Sequence, residues 1–321
     1  MLLSLIIPLY NVEPYVRRCL ESCLRQDLPQ EEYEFILIDD GSKDKSLEEA
    51  LATLDGRGNV KTICQENSGQ GVARNKGLAM AEGRYVWFVD SDDWLSENCF
   101  ASLISRMEQD SLDILAVAGA DAVGDTLLPR GSYSFEGVVS GREIIPSREF
   151  KLGTPFSIYR RSFLQEHALQ FIGGVYHEDA LFTPQAYFHA TRVGACKDII
   201  YKVFPNPTSS TRTVNPKRAQ DYIAVILAGI DAFAQQQGCP REFDYLISSG
   251  FSNALKNCYR MTDEDVAALD RCAYEHRYLL EHLRRSSVLK FKIEGYVLSL
   301  FPRRMTAAYR FMELFNPHRP L

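Results

Sequence analysis

Long apolar runs are missing from this chain of 321 residues. No stretch reaches the roughly 18 to 20 apolar residues that a membrane-crossing helix needs, so no such span is expected. The apolar start MLLSLIIPLYN is too short for a secretory leader, has no basic residues ahead of it, and is broken by Pro8. Paired CxxC spacings are also missing among the eight cysteines, which removes the common zinc and dithiol patterns. Cys19 and Cys23 stand four apart among Val16, Leu20 and Leu24 at the helical period, and read as small buried hydrophobes rather than metal ligands. A reduced, cytoplasmic protein is expected. There is no GxxxxGK(S/T) loop, which argues against a P-loop enzyme. No GxGxxG follows the first apolar segment, which argues against a dinucleotide oxidoreductase. Neither an internal repeat nor a low-complexity tract is present.

What is there is a well-supplied core, with 45% apolar residues, and a regular alternation along residues 2–120. LSLIIPLY, EFILID (34–39), VKTICQ (60–65) and YVWFVD (85–90) read as strands. Helices are expected between them: one capped by Asn11 with Pro14 in its first turn, one over about 46–54, and GVARNKGLAMAEG closed by Gly83. Strands this apolar, separated by helices, predict a mostly parallel sheet covered on both faces. Ser96 can cap a helix to about residue 109, and DILAVAGA (113–120) is another strand. The segment 124–155 reads as hairpin and loop, FSIYR (156–160) and IIYKVF (199–204) as strands in a mixed second half, and the chain beyond 216 as helical.

The chemistry gathers at strand ends, where open parallel sheets bind ligands. Asn11 follows the first strand, Asp39 and Asp40 the second, and Asp90, Asp92 and Asp93 the fourth, in FVDSDDW. Three acids in four residues repel one another unless something positive sits among them. A DxD pair sends two carboxylates the same way and suits a hard divalent cation, whose shell phosphate oxygens commonly complete. The pattern thus suggests a diphosphate ligand. An acidic pair such as Asp39–Asp40 also suits a phosphate-accepting receiver domain, but that leaves residues 90–93 and the chain length unexplained.

SLIIPLYN, ILIDDGSKDKS, ENSGQGVARNKGLAMAEGRYVWFVDSDDWL and YHEDALF, in that order and spacing over about residues 2–212, resemble family 2 glycosyltransferases of the GT-A fold. The resemblance implies inverting transfer of a sugar from a nucleotide diphosphate donor, most often a UDP-sugar, to a glycan or lipid-linked acceptor, with Mn²⁺ or Mg²⁺ as cofactor. It implies a GT-A domain over 1–212, with a nucleotide-binding half (1–95) and an acceptor half (96–212), and a helical extension over 213–321. On the matching positions, Asp40 resembles the acid that meets the nucleobase, with Pro8 and Tyr10 shaping the pocket and Asp39 supporting the turn. Arg74 resembles an arginine near the nucleotide, Asp90 a ribose and metal contact, and Asp92 the direct metal ligand, while Asp93 is open between this site and the acceptor side. Asp179 in HEDALF matches the catalytic base, with Glu178 the competing candidate and His177 behind them. Ser209 and Arg212 are candidates to close over the diphosphate. Two alternatives stay open: a metal-dependent sugar nucleotidyltransferase, although NVEPYVRR is not its Gly-rich basic loop, and a non-catalytic nucleotide-sugar-binding subunit.

Charge is unevenly spread. Residues 284–321 hold eight Lys and Arg against Glu294 and Glu313, a balance of +6 that leaves −12 on the rest of a chain whose net charge is −6. Two readings of this tail are open, a helix packed on the protein or an amphipathic segment drawn to an anionic membrane surface. With an acidic body and no aromatic-basic stacking motif, nucleic acid is not an expected partner.

Overall fold

Leu3–Leu9 forms a strand, β1, in which every residue is buried. It is flanked by β2 (Tyr33–Asp39) and β4 (Tyr85–Phe88), with β3 (Val60–Cys64) outside β2, and all four run parallel. The computed structural model describes residues 1–130, 133–147, 150–206 and 215–314. These form one nine-stranded sheet in the order β3-β2-β1-β4-β8-β6-β9-β5, with β7 paired to β6. Here β5 is Trp94–Leu95, β6 Ile114–Val123, β7 Thr126–Pro129, β8 Ser157–Arg160 and β9 Val193–Val203. The second half is mixed: β8 is antiparallel to β4 and β6, whereas β9 runs parallel to β6. Pro8 sits inside β1, opposite Ile38 of β2, just past the last pair with β4, Ile6 and Phe88. Its missing N–H therefore falls where the β4 ladder has ended.

Side chains alternate between the two faces of this sheet. Leu5, Ile7, Phe35 and Trp87 pack in one cluster with Val16 and Leu20 of α1 (Glu13–Leu24) and Phe100 and Leu103 of α4 (Phe100–Gln109). Ile6 and Ile38 point the other way, toward α3 (Gln70–Met80). The remaining helices here are α2 (Ser46–Thr53), α5 (Gly141–Ile144) and α6 (Arg161–Glu166). The expected caps are not the ones used. Asn11 instead adopts a left-handed backbone with φ of 53° and accepts the Lys43 N–H at 2.8 Å. The N–H of Glu13 goes to Asp44 Oδ2 at 3.0 Å. Ser96 donates to the Ile199 carbonyl at 2.8 Å, and α4 starts later, with the Ala101 N–H on Asp27 at 2.9 Å. In both places a neighbouring loop satisfies the open helix end, which a local reading of the chain does not see.

The chain divides into two compact units. One holds residues 1–144, 149–174 and 186–209; the other holds 145–148, 175–185 and 210–321. Helix α7 (Asp179–His189) therefore begins in the second unit and ends in the first. The second unit is helical, with α8 (Pro216–Asp221), a π-helical stretch Tyr222–Leu227, α9 (Ala228–Gln236), α10 (Asp244–Lys256), α11 (Asp263–Glu275), α12 (Leu280–Arg285), α13 (Leu289–Leu300) and α14 (Met305–Glu313). Ile247, Phe251 and Leu255 of α10 are buried, as are Leu227, Leu269, Leu283 and Leu298. Gly250 lets α10 close on the π-helical turn, since a Cβ there would lie 2.7 Å from Leu227 and 2.9 Å from Tyr222. Within this core His282 is buried between two acids, with Nδ1 2.6 Å from Asp244 and Nε2 2.8 Å from Asp231. Arg285 reaches the same Asp244 oxygen at 3.0 Å.

Candidate active site

In the first unit the polar residues converge at the carboxyl ends of β1, β2 and β4. The loops after β1 and β2 are tied by hydrogen bonds, Asn11 N–H to Ser42 at 3.2 Å and Val12 N–H to Ser46 at 2.7 Å. Tyr10 lies at this clasp and is 49% exposed, while Pro8 is buried in its strand. Asp39 and Asp40 differ sharply. Asp40 is buried and takes three donors from the β3–α3 loop: Gln65 Nε2 at 2.6 Å, Ser68 N–H at 2.8 Å and Gly69 N–H at 2.9 Å. Asp39 is only partly covered and accepts the Ser42 N–H at 3.1 Å on Oδ1.

At the end of β4, Asp90 Oδ1 accepts from Gln70 Nε2 and from Arg74 Nη2, both at 2.8 Å. Gln70 and Arg74 are one turn apart on α3, so a single helix face supplies both donors. The Arg74 guanidinium is buried and lies 5.4 Å from the centre of the Phe171 ring. The Asp90 N–H donates to the Tyr201 hydroxyl at 3.0 Å. Asp92 accepts from Asn206 Nδ2 at 3.1 Å, on Oδ2. Asp93 is buried and accepts the Phe204 N–H at 2.8 Å, so its carboxylate is turned into the protein rather than toward an acceptor.

Burial pushes the Asp92 carboxyl above its ordinary range and the charge of Asp90 adds to this, against the pull of Asn206 and Arg18. Burial also pushes Asp93 well up, with Asp90 and Asp92 repelling it further. Among the described residues, two arginines bring positive charge to these acids. Arg74 pairs with Asp90, and Arg18 of α1 donates to the Asp92 carbonyl at 3.0 Å. Arg18 is stacked between Trp94 and Phe204, 3.9 and 4.5 Å from the ring centres. Gln70, Arg18, Tyr201 and Asn206 were not legible as site residues. Gln70 alone left a sequence signal, its one-turn spacing from Arg74.

Among the described residues no group of three or more His, Cys, Asp or Glu side chains is arranged to hold a metal ion. Asp90 and Asp92 nevertheless fit a cation that brings other ligands. Their protein donors fall on Asp90 Oδ1 and Asp92 Oδ2, and the Asp90 charge, which adds to burial in raising the Asp92 carboxyl, is one that a cation between the two would offset.

The HED triplet belongs to the second unit. Asp179 is the first residue of α7, at the end of the helix where the backbone dipole favours a carboxylate. The Glu178 side chain is buried, and its carbonyl accepts the Phe182 N–H at 3.2 Å. His177 turns the chain into the helix with φ of 65°, a left-handed conformation that a residue with a Cβ holds only under constraint. Its ring meets Tyr222 edge-on at 5.3 Å; burial, then the charge of Arg218, lowers its pKa. Tyr222 opens the π-helical turn, and its hydroxyl is pushed up by burial and by the charge of Asp179. Turns of this kind often mark functional positions. Ser209 and Arg212 lie outside the described residues.

The sequence pattern of glycosyl transferase family 2 matches residues 4–168. YibD of Escherichia coli strain K12, an uncharacterized glycosyltransferase, is 34% identical over 220 residues, 65% of this chain and 63% of YibD. The chain thus spans less than two thirds of that relative's length. TarS of Staphylococcus aureus strain Mu50, a poly(ribitol-phosphate) beta-N-acetylglucosaminyltransferase, is 30% identical over 201 residues, 62% of this chain and 34% of TarS. The crystal structure of S. aureus TarS residues 1–349 with UDP-GlcNAc superimposes with a TM-score of 0.79 at 23% identity, covering 99% of this chain and 93% of that one. That likeness shows the fold, the expected GT-A sheet with a helical C-terminal region.

Proposed function

Because the chain belongs to glycosyl transferase family 2, we propose that it transfers a sugar from a UDP-sugar, with inversion, to a hydroxyl of a surface-polysaccharide or lipid-linked acceptor. The observation that carries this reading is Asp90 at the end of β4, fixed by Gln70 and Arg74 with Asp92 two residues on, inside the matched region. TarS supports the choice of donor and of a polymeric acceptor, since its structure holds UDP-GlcNAc and its name gives poly(ribitol-phosphate).

On this reading Asp39, not Asp40, meets the nucleobase. The Asp40 oxygens already take three donors from their own loop, whereas Asp39 gives only Oδ1 to Ser42. Tyr10 offers its exposed ring to the same base, and Pro8 backs the pocket from inside the strand. Asp90 turns Oδ2 to the ribose, and Arg74 acts by holding that carboxylate in place. Asp90 and Asp92 would hold Mn²⁺ or Mg²⁺ together with the diphosphate oxygens. Such an ion, when bound, neutralises the negative charge that develops on the leaving diphosphate.

Asp179 serves as the base. The acceptor oxygen bonds to the anomeric carbon as the bond from that carbon to the diphosphate breaks, the electron pair leaves with UDP, and the acceptor proton passes to Asp179. Glu178 is the weaker candidate because it is buried. A positioned carboxylate contributes about 10²- to 10⁴-fold, so Asp179→Asn is expected to lower transfer at least about 100-fold while UDP still raises the melting temperature. Glu178→Gln is expected to cost less. Near wild-type transfer by Asp179→Asn overturns the base assignment. If the wild-type chain releases no UDP from any UDP-sugar and acceptor pair, the function itself is wrong.

A further inference from the structure

Helix α13 is apolar on two opposite sides, and only one of them is covered. Leu298 and Gly295 are buried, with Glu294 beside them. Gly295 closes on α12 so tightly that a Cβ would stand 2.8 Å from the Arg284 nitrogen. On the other side Leu289, Ile293, Tyr296 and Leu300 recur at the helical period, 70%, 50%, 57% and 74% exposed, and Phe301 continues the stripe at 55%. The apolar stripe of an amphipathic helix is ordinarily the side that packs away from water. An apolar band of this kind on a folded surface marks an interaction site.

The charges around the band select its partner. Lys292 flanks it on the helix, and Arg303 and Arg304 follow Phe301 after Pro302. All three are exposed, and none forms an ion pair with a described residue. A second copy of this face would bring like charges together. No helix among the described residues is long and apolar enough to cross a membrane, and α13, at 12 residues, is about 18 Å long.

We propose that this face lies on an anionic phospholipid bilayer, with Leu289, Ile293, Tyr296, Leu300 and Phe301 entering the headgroup boundary and Lys292, Arg303 and Arg304 meeting lipid phosphates. None of these residues takes part in the proposed transfer chemistry, so either proposal can fail without the other.

The test is flotation of the full chain with phosphatidylcholine vesicles, with and without phosphatidylglycerol. Binding is expected only with phosphatidylglycerol, and to fall as salt rises. Ile293→Asp with Leu300→Asp, and separately Lys292→Glu with Arg303→Glu and Arg304→Glu, are each expected to weaken binding at least about tenfold. Because every substituted residue is exposed, circular dichroism and melting temperature should match wild type, which separates lost binding from lost folding. Absence of binding to anionic vesicles at low salt overturns the proposal, as does equal binding by folded variants. Reversible dimers that disappear in Ile293→Asp with Leu300→Asp, without vesicle binding by wild type, would assign the face to a second copy instead.

Discussion

Asp93 sits in a setting unfavourable to its own charge. It is buried, Asp90 and Asp92 stand nearby, and the protein answers mainly with the Phe204 N–H and the Tyr201 hydroxyl. A carboxyl with a raised folded pKa binds its proton more tightly when folded. Its favourable contribution is therefore complete below the ordinary carboxylate range and is lost as pH rises through the raised value. Once ionised, the group opposes folding, in contrast to Glu34. There burial also works against ionisation, but Lys61, Ser4 and the Glu82 N–H outweigh it and hold the carboxyl below its usual range. Asp93→Asn keeps an oxygen for the Phe204 N–H and removes the repulsion. With a chelator present at pH 8 it is expected to stabilise by about 1 kcal/mol, roughly 2–4 °C in melting temperature. The gain should shrink as pH falls toward 4, and a melting temperature below wild type at pH 8 would contradict the account.

Helix α3 presents the site and is also pressed closely on the sheet. Gln70 and Arg74 hold Asp90, and Gly77, less than a turn beyond Arg74, rests on Ile6 and Ile38. Alanine is the better helix former by about 1 kcal/mol. A Cβ at residue 77 would nonetheless lie 2.4 Å from Ile6 Cγ2 and 2.8 Å from Ile38 Cδ1, both in the packed interior. Overpacking of this kind typically costs about 1–3 kcal/mol, so Gly77→Ala should lower the melting temperature. By lifting Arg74 from Asp90 it should also weaken UDP binding, measurable by titration calorimetry; unchanged stability and affinity would show that the helix has room to shift. At this scale much was legible in the sequence, because strand alternation and helix period are local. Each expected strand is present, and Arg74 could be placed from its motif. Arg18 could not, since its bond to the Asp92 carbonyl spans 74 residues and depends on Trp94 and Phe204 stacking on either side. The different settings of Asp39 and Asp40 were hidden for the same reason, as they follow from what the loop after β3 donates.

Over the whole chain, neither unit is a continuous stretch of sequence. Residues 175–185, which carry HED, cluster with 210–321 although residues on both sides of them cluster with the sheet. The reason is packing across a long separation. His177 meets Tyr222 edge-on, and Leu181 fills the space over Gly229, where a Cβ would come within 3.2 Å of it. Periodicity within HEDALF cannot reveal partners 45 and 48 residues later, so the sequence places Asp179 with the motifs before it rather than with the helices after it. A chain ended at residue 209 would keep the strand-end acids and HEDALF, yet α7 would lose Tyr222, Gly229 and the π-helical turn. Misplacing a reacting group by about 1 Å can cost on the order of 100-fold in rate. The shortened chain is therefore expected to lose the proposed transfer by at least that factor, even where UDP still raises its melting temperature. Transfer by the 1–209 chain within tenfold of the full chain would mean that the helices of the second unit do not position the base.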